Sequence, residues 1–304
     1  MPAYSHARSV VLLITAAACW GVGTVITKQM LFDVPALTLL PLQLLASCAF
    51  LAAAARAGRN RITWSPAMRR LTLLGVLNPG LAYALALVGL TSISASMSVL
   101  LWATEPLLIL VLAVVLLRER VARRQSGAML MALAGVGLVV YSPGAAGNLM
   151  GVALTLTAVA ACAVYTVLAR RWFLDDASLT VAFAQQVAAL SFAVVIAAGA
   201  QLGGGQGWDL GALSPRAWVG AAASGVLYYG LAFWLYLTGL QRVPASVAGS
   251  FITLVPVFGV VAGYLVGERL TERQWVGAVI VVVAMVVVAM PPQMRRTRPV
   301  AGAG

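Results

Sequence analysis

The chain has 304 residues, of which 62% are hydrophobic and only 9% charged. A soluble domain carries about 25% charged residues, so a water-coated globule is excluded, and the unbroken apolar runs lack the polar–apolar alternation of a membrane β-barrel. The net charge of +12 invites a nucleic-acid partner, but the basic residues sit where they report membrane topology instead.

A membrane-spanning helix needs about 20 mostly apolar residues. Ten such runs follow one another, at 10–30, 35–55, 71–91, 94–117, 125–141, 149–170, 177–200, 217–240, 245–266 and 274–290. They leave no room for a soluble domain of useful size. With the N-terminus in the cytoplasm, all but four of the 20 basic residues fall inside, and only Lys28, Arg216, Arg269 and Arg273 fall outside. The expected fold is all-α and integral to the membrane, with ten spans and both termini cytoplasmic. MPAYSHARS before the long first run reads as the start of a retained first helix.

Polar residues inside such runs are informative, because lipid-facing positions avoid them. In the first run Trp20 and Thr24 lie one turn apart, and the second holds Gln43. In the third, Asn78 precedes Pro79 and Gly80, and Tyr83 follows. Pro79 lacks a backbone donor, which frees a carbonyl one turn earlier; a freed carbonyl is tolerated in a membrane only where protein or water satisfies it. The fourth run carries Ser94, Ser98, Trp102 and Glu105 at helical spacing on one face, with Pro106 next. That face lines a cavity or packs as a polar helix interface. The fifth has only small and apolar residues over 128–140.

In the sixth run Thr155, Cys162 and Tyr165 share a face, and the seventh holds Gln185. Gln43 and Gln185 each bond a substrate or a neighbouring helix. The eighth offers Tyr228, Tyr229, Phe233 and Trp234 near the depth of Tyr83, as cavity aromatics or as an interfacial belt. The ninth has Ser246, Ser250 and Thr253 on one face, and the tenth has no polar side chain over 276–290. The fifth and tenth helices belong at the periphery, against lipid or at an oligomer contact.

The chain contains a duplication. GLAYALALVGLTSISASMSVLLWATEP at 80–106 matches GLAFWLYLTGLQRVPASVAGSFITLVP at 230–256, with ten of 27 positions identical. RERVARRQSG pairs with GERLTERQWVG, AACWGVGTVITK with AACAVYTVLARR, and ALTLLPLQ with SLTVAFAQ, which sets Gln43 against Gln185. The units expected are 1–145 and 146–304, the second ending in a short basic tail. Five helices each is odd, so the second half enters the membrane from the opposite side. Such inverted-topology repeats suit alternating access around a central site.

ACWGVG, TEPLLILVLAVVLLRER and VPVFGVVAGYLVGER resemble the drug/metabolite transporter superfamily, specifically its EamA family. Valine at 255 stands where the first copy has Glu105. The tryptophans, tyrosines and apolar character are similar to bacterial aromatic amino-acid exporters of the YddG type. The resemblance implies a ten-helix secondary transporter of the bacterial inner membrane that exports amino acids or related metabolites. The candidate substrate-binding residues are Trp20, Gln43, Asn78, Tyr83, Ser98, Trp102, Glu105, Tyr165, Gln185, Tyr228, Tyr229 and Ser250.

Efflux of hydrophobic cations, with Glu105 as counter-charge, is the alternative. Glu105 is also a candidate proton carrier, or a hydrogen-bonded support for the bent helix. No Lys or Arg lies deep in a run, which argues against phosphorylated cargo. The one histidine is His6, the three cysteines lack metal spacing, and GGGQG has no following lysine. The expectation is therefore no enzyme, no metal, no cofactor and no nucleic acid. The expected partners are a small solute and the bilayer, with protons as a candidate coupling ion and the oligomeric state open.

Overall fold

The computed structural model describes residues 2–58, 66–117, 123–140, 148–172, 178–203, 210–240, 251–252 and 254–289. Within them every regular element is a helix. Lipid offers no partner for backbone N–H and C=O groups, so an apolar chain must satisfy them within each segment. The first half contains α1 (Pro2–Met30), α2 (Ala36–Ala57), α3 (Pro66–Gly75), α4 (Ala82–Thr91), α5 (Ala95–Trp102), α6 (Glu105–Leu117) and α7 (Arg123–Val140). The second contains α8 (Leu149–Trp172), α9 (Ser178–Leu202), α10 (Pro215–Ser224), α11 (Ala232–Leu240), α12 (Val255–Leu265) and α13 (Glu272–Ala289).

Six stretches are long and apolar enough to cross a membrane: Ser9–Met30, Ala36–Ala57, Met68–Thr91, Leu149–Thr166, Leu179–Leu202 and Pro215–Tyr236. Ala95–Ile109, Leu130–Val139 and Val255–Leu265 are shorter apolar helices. Of the run expected at 245–266, Ser246, Ser250 and Thr253, and with them the candidate site residue Ser250, lie outside the described residues.

Three runs read as continuous are interrupted. A π-helical turn, Val76–Leu81, joins α3 to α4, and another, Gly225–Leu231, joins α10 to α11. The first contains Pro79, and Asn78 leaves helical geometry at φ −146°, ψ 119°. The fourth run breaks between α5 and α6 because Pro106 has no N–H to give Trp102 and its ring crowds that carbonyl. Thr104 spans the gap: its N–H and its hydroxyl both donate to Leu101 O, at 3.0 and 2.6 Å. α12 likewise begins at Val255, with Pro256 in its first turn.

The two halves make matching contacts with their roles exchanged. A Cβ at Gly75 would overlap the Gln185 backbone, and a Cβ at Gly225 would overlap the Gln43 backbone. These are the residues paired by the repeat. A Cβ at Gly89 would sit 2.7 Å from Thr155 Oγ1, and one at Gly239 would sit 2.8 Å from Leu13 Cδ2. Accordingly α8 packs on α4 and α6 while α1 packs on α11 and α12, and α2 packs on α9. α7 and α13 pair chiefly with each other, crossing where Gly135 meets Gly277. Their outer faces expose Leu130, Leu133, Val276, Val279 and Val283, a surface suited to lipid.

Candidate functional site

The interior cavity lies where the halves meet. Thr24 and Thr27 of α1, Tyr83, Ala86, Leu87 and Leu90 of α4, Ser98 and Trp102 of α5, and Tyr228 and Tyr229 of the second π turn line it. Its volume in this conformation is about 20 Å³, room for about one water molecule. The helical period explains the lining: 83, 86, 87 and 90 share one face of α4, and 98 and 102 share one face of α5.

Tyr83 is the centre of the aromatic wall. Its ring stacks on Trp102 at 5.5 Å and 16°. It meets Tyr228, Tyr229 and Phe233 edge-on at 5.4, 5.1 and 6.5 Å. Phe233 is its counterpart in the repeat. Trp20 stands at one margin, 5.4 Å from both Phe233 and Tyr236, with its buried Nε1 unpartnered.

A polar chain lies beside this wall. Asn78 Nδ2 donates to Cys162 Sγ at 3.4 Å, and Cys162 Sγ donates to Glu105 Oε1 at 3.2 Å. The Thr166 hydroxyl reaches the same Oε1 at 3.5 Å. Asn78 Oδ1 is buried without a partner. Glu105 does not line the cavity with Ser98 and Trp102. The break before Pro106 separates it from the face of α5, and it meets α8 instead. This corrects the expectation of one continuous Ser94–Ser98–Trp102–Glu105 face. Ser94 serves as the cap of α5, accepting from Met97 N at 3.1 Å, which satisfies a donor that a helix start leaves free.

The glutamines sit in helix contacts rather than on the cavity. Gln43 Nε2 donates to Thr27 Oγ1 at 2.9 Å and to Ser224 Oγ at 2.8 Å. Gln185 Nε2 donates to Leu71 O at 3.1 Å, and its Oε1 accepts from the Tyr165 hydroxyl at 2.8 Å. Tyr165 is thereby turned toward α9. Sequence reasoning did not single out Thr27, Leu87 or Leu90 as lining; Thr27 follows Thr24 by one turn on an apolar helix, which was a usable signal.

A sequence model of the EamA-like transporter family matches residues 7–141 and again residues 149–290. The chain belongs to the EamA-like transporter family. This EamA transporter is 24% identical over 231 residues to an uncharacterized transporter of Archaeoglobus fulgidus, covering 75% of the present chain and 80% of the relative. A crystal structure at 20% sequence identity superposes with a TM-score of 0.65, covering 93% of this transporter and 96% of that chain, and so shares its fold. The transporter is a multi-pass membrane protein, and its partners are a small-molecule solute and lipid. Family membership implies transport rather than catalysis.

Proposed function

We propose that this transporter exports amino acids, chiefly aromatic and neutral ones, across the inner membrane of a bacterial cell by alternating access. The observation that carries the reading is the small cavity between the halves, walled by Tyr83, Trp102, Tyr228 and Tyr229 and edged by the hydroxyls of Thr24, Thr27 and Ser98. Aromatic faces and leucines favour an apolar side chain by area burial, and the hydroxyls suit a polar head group. Such pockets discriminate weakly, by about 1–3 kcal/mol per methylene, so the range of solutes is broad. Ten spans, both termini in the cytoplasm and two units at 1–145 and 146–304 complete the proposal. The exchanged Gly75–Gln185 and Gly225–Gln43 contacts support it, because halves built alike can adopt each other's arrangement.

The test is flux in proteoliposomes with a panel of labelled amino acids, phenylalanine first. Uptake above empty liposomes is expected for phenylalanine and several neutral amino acids. No flux across the whole panel rejects the reading. Glu105 supports a second reading, efflux of hydrophobic cations, since a half-buried carboxylate bonded, among the described residues, by Cys162 and Thr166 suits a cation or a proton. Dye resistance on expression, abolished by Glu105→Gln, distinguishes it.

A further inference from the structure

Glu268 is an acid with three donors and no role in the cavity. It lies on the short link between α12 and α13, in the second half, yet its carboxylate serves a helix of the first. Ala95 N donates to Oε1 at 2.7 Å, Ser96 N donates to Oε2 at 2.8 Å, and the Ser96 hydroxyl donates to Oε2 at 2.6 Å. These amides open α5, where backbone donors have no helical acceptor and a negative charge is favoured. The reach depends on the turn before it. Gly267 takes φ +99°, a left-handed conformation that residues with a Cβ adopt poorly, and Glu268 N then closes on Gly263 O at 2.9 Å. Gly263 leaves no space for a side chain: a Cβ there would lie 2.5 Å from Ser96 Oγ and 2.7 Å from Glu268 Oε2.

The other side of the same turn is held by a cation. Lys28, near the end of α1, donates from Nζ to Leu90 O at 2.7 Å and to Thr91 O at 3.3 Å, the carbonyls that close α4. A positive charge is favoured there for the converse reason. The α4–α5 turn is thus clasped by an ammonium at its incoming helix end and a carboxylate at its outgoing one. A third tie comes from Asn148 N, which donates to Ser92 O at 3.2 Å. The Arg269 guanidinium is engaged away from the Glu268 carboxylate: it lies 4.1 Å from the Tyr264 ring centre and bonds the carbonyls of Tyr264 and Glu268.

The clasp stands at one end of the cavity. Thr27, the chain neighbour of Lys28, and Leu90, whose carbonyl accepts the Lys28 bond, line that end and are 5% and 4% exposed. At the other side Trp102 and Tyr228 are half-buried. The end beneath the clasp is buried, and on the topology proposed above it faces outward. We propose that Glu268 is the latch of the outer gate: by binding the start of α5 it holds the two halves together over the cavity, and solute leaves only when that carboxylate lets go of Ala95 and Ser96. The inference rests on the cavity reading above but not on which solute occupies it.

The test is access to the cavity from outside. Thr24→Cys provides a reporter thiol, and the parent chain, with Cys19, Cys48 and Cys162 buried, provides the background. Labelling of intact cells with a membrane-impermeant thiol reagent is measured with and without Glu268→Gln. Charge-assisted bonds are about twice as strong as neutral ones, so the substitution should raise the reporter's labelling rate by about tenfold. Ser96→Ala removes one of the three bonds and should raise the rate by a smaller factor, in a chain with every charge intact. Parental rates in both variants would overturn the proposal. Should Glu268→Gln fail to reach the membrane, Ser96→Ala decides alone. Faster labelling together with no amino-acid flux by the parent chain, which keeps Thr24, would retain the latch and reject the amino-acid reading.

Discussion

Tyr83 touches four aromatic rings from both halves of the chain, so its ring and its hydroxyl separate in experiment. Tyr83→Phe keeps the packing and should leave the protein folded while weakening binding of the solute's polar end. Trp102→Ala removes the stacked wall and should raise KM for phenylalanine by about tenfold, equivalent to about 1.4 kcal/mol. Trp275→Ala is the control, since that ring is 45% exposed on the outer face of α13. Initial rates across a concentration series measure both. Glu105→Gln keeps an oxygen for Cys162 and Thr166 but carries no exchangeable charge; if Glu105 couples transport to protons, flux should lose its response to a pH gradient. Full retention of that response would remove Glu105 from coupling. Tyr83, Trp102 and Glu105 stood out in the sequence as polar or aromatic residues inside apolar runs; the stacking of the two rings around the cavity and the turn of Glu105 toward α8 are what the structure adds. The partners of Gln43 and Gln185 were not legible there, because each bonds a helix far away in sequence.

Among the helices, the turns at 76–81 and 225–231 show what sequence conveys and what it omits. Pro79 announces the first; the second contains no proline and reads as an ordinary apolar stretch, although the repeat places it opposite the first. Pro106 and Pro256 both mark breaks that the duplicated motif anticipates. Pro106→Ala restores a donor for Trp102 O and removes the block to one continuous helix, whose interior tolerates proline poorly. It should raise the melting temperature and lower flux, because α5 and α6 would join into one straight segment. The glycines give a second contrast. Gly75→Ala drives a methyl into the Gln185 backbone and should destabilise by about 1–3 kcal/mol. Gly137→Ala, in α7, meets nothing within 4 Å and should be neutral or stabilising by up to about 1 kcal/mol. Thermal unfolding in detergent compares the two. Apolar length foretold helical segments but not where they break; it is blind too to close approaches, which depend on what the second half brings to the first.

At the scale of the whole molecule, the membrane class and the repeat follow from composition and from the paired motifs, and the family match covers both copies. What the sequence did not disclose is how far the halves interpenetrate. α1 packs on α11 and α12, and α8 packs on α4 and α6, so the interior of each half is completed by the other. The bond from Gln43 to Ser224 spans 181 residues. At about 5–20 residues per second of synthesis, a ribosome needs about 10–40 s to cover that interval. Throughout it Gln43 sits in a nascent membrane segment with Thr27 as its one partner already made. The first half must therefore wait in the bilayer with a polar seam unfinished, and a stalled or truncated chain would present that seam to neighbouring proteins rather than bury it.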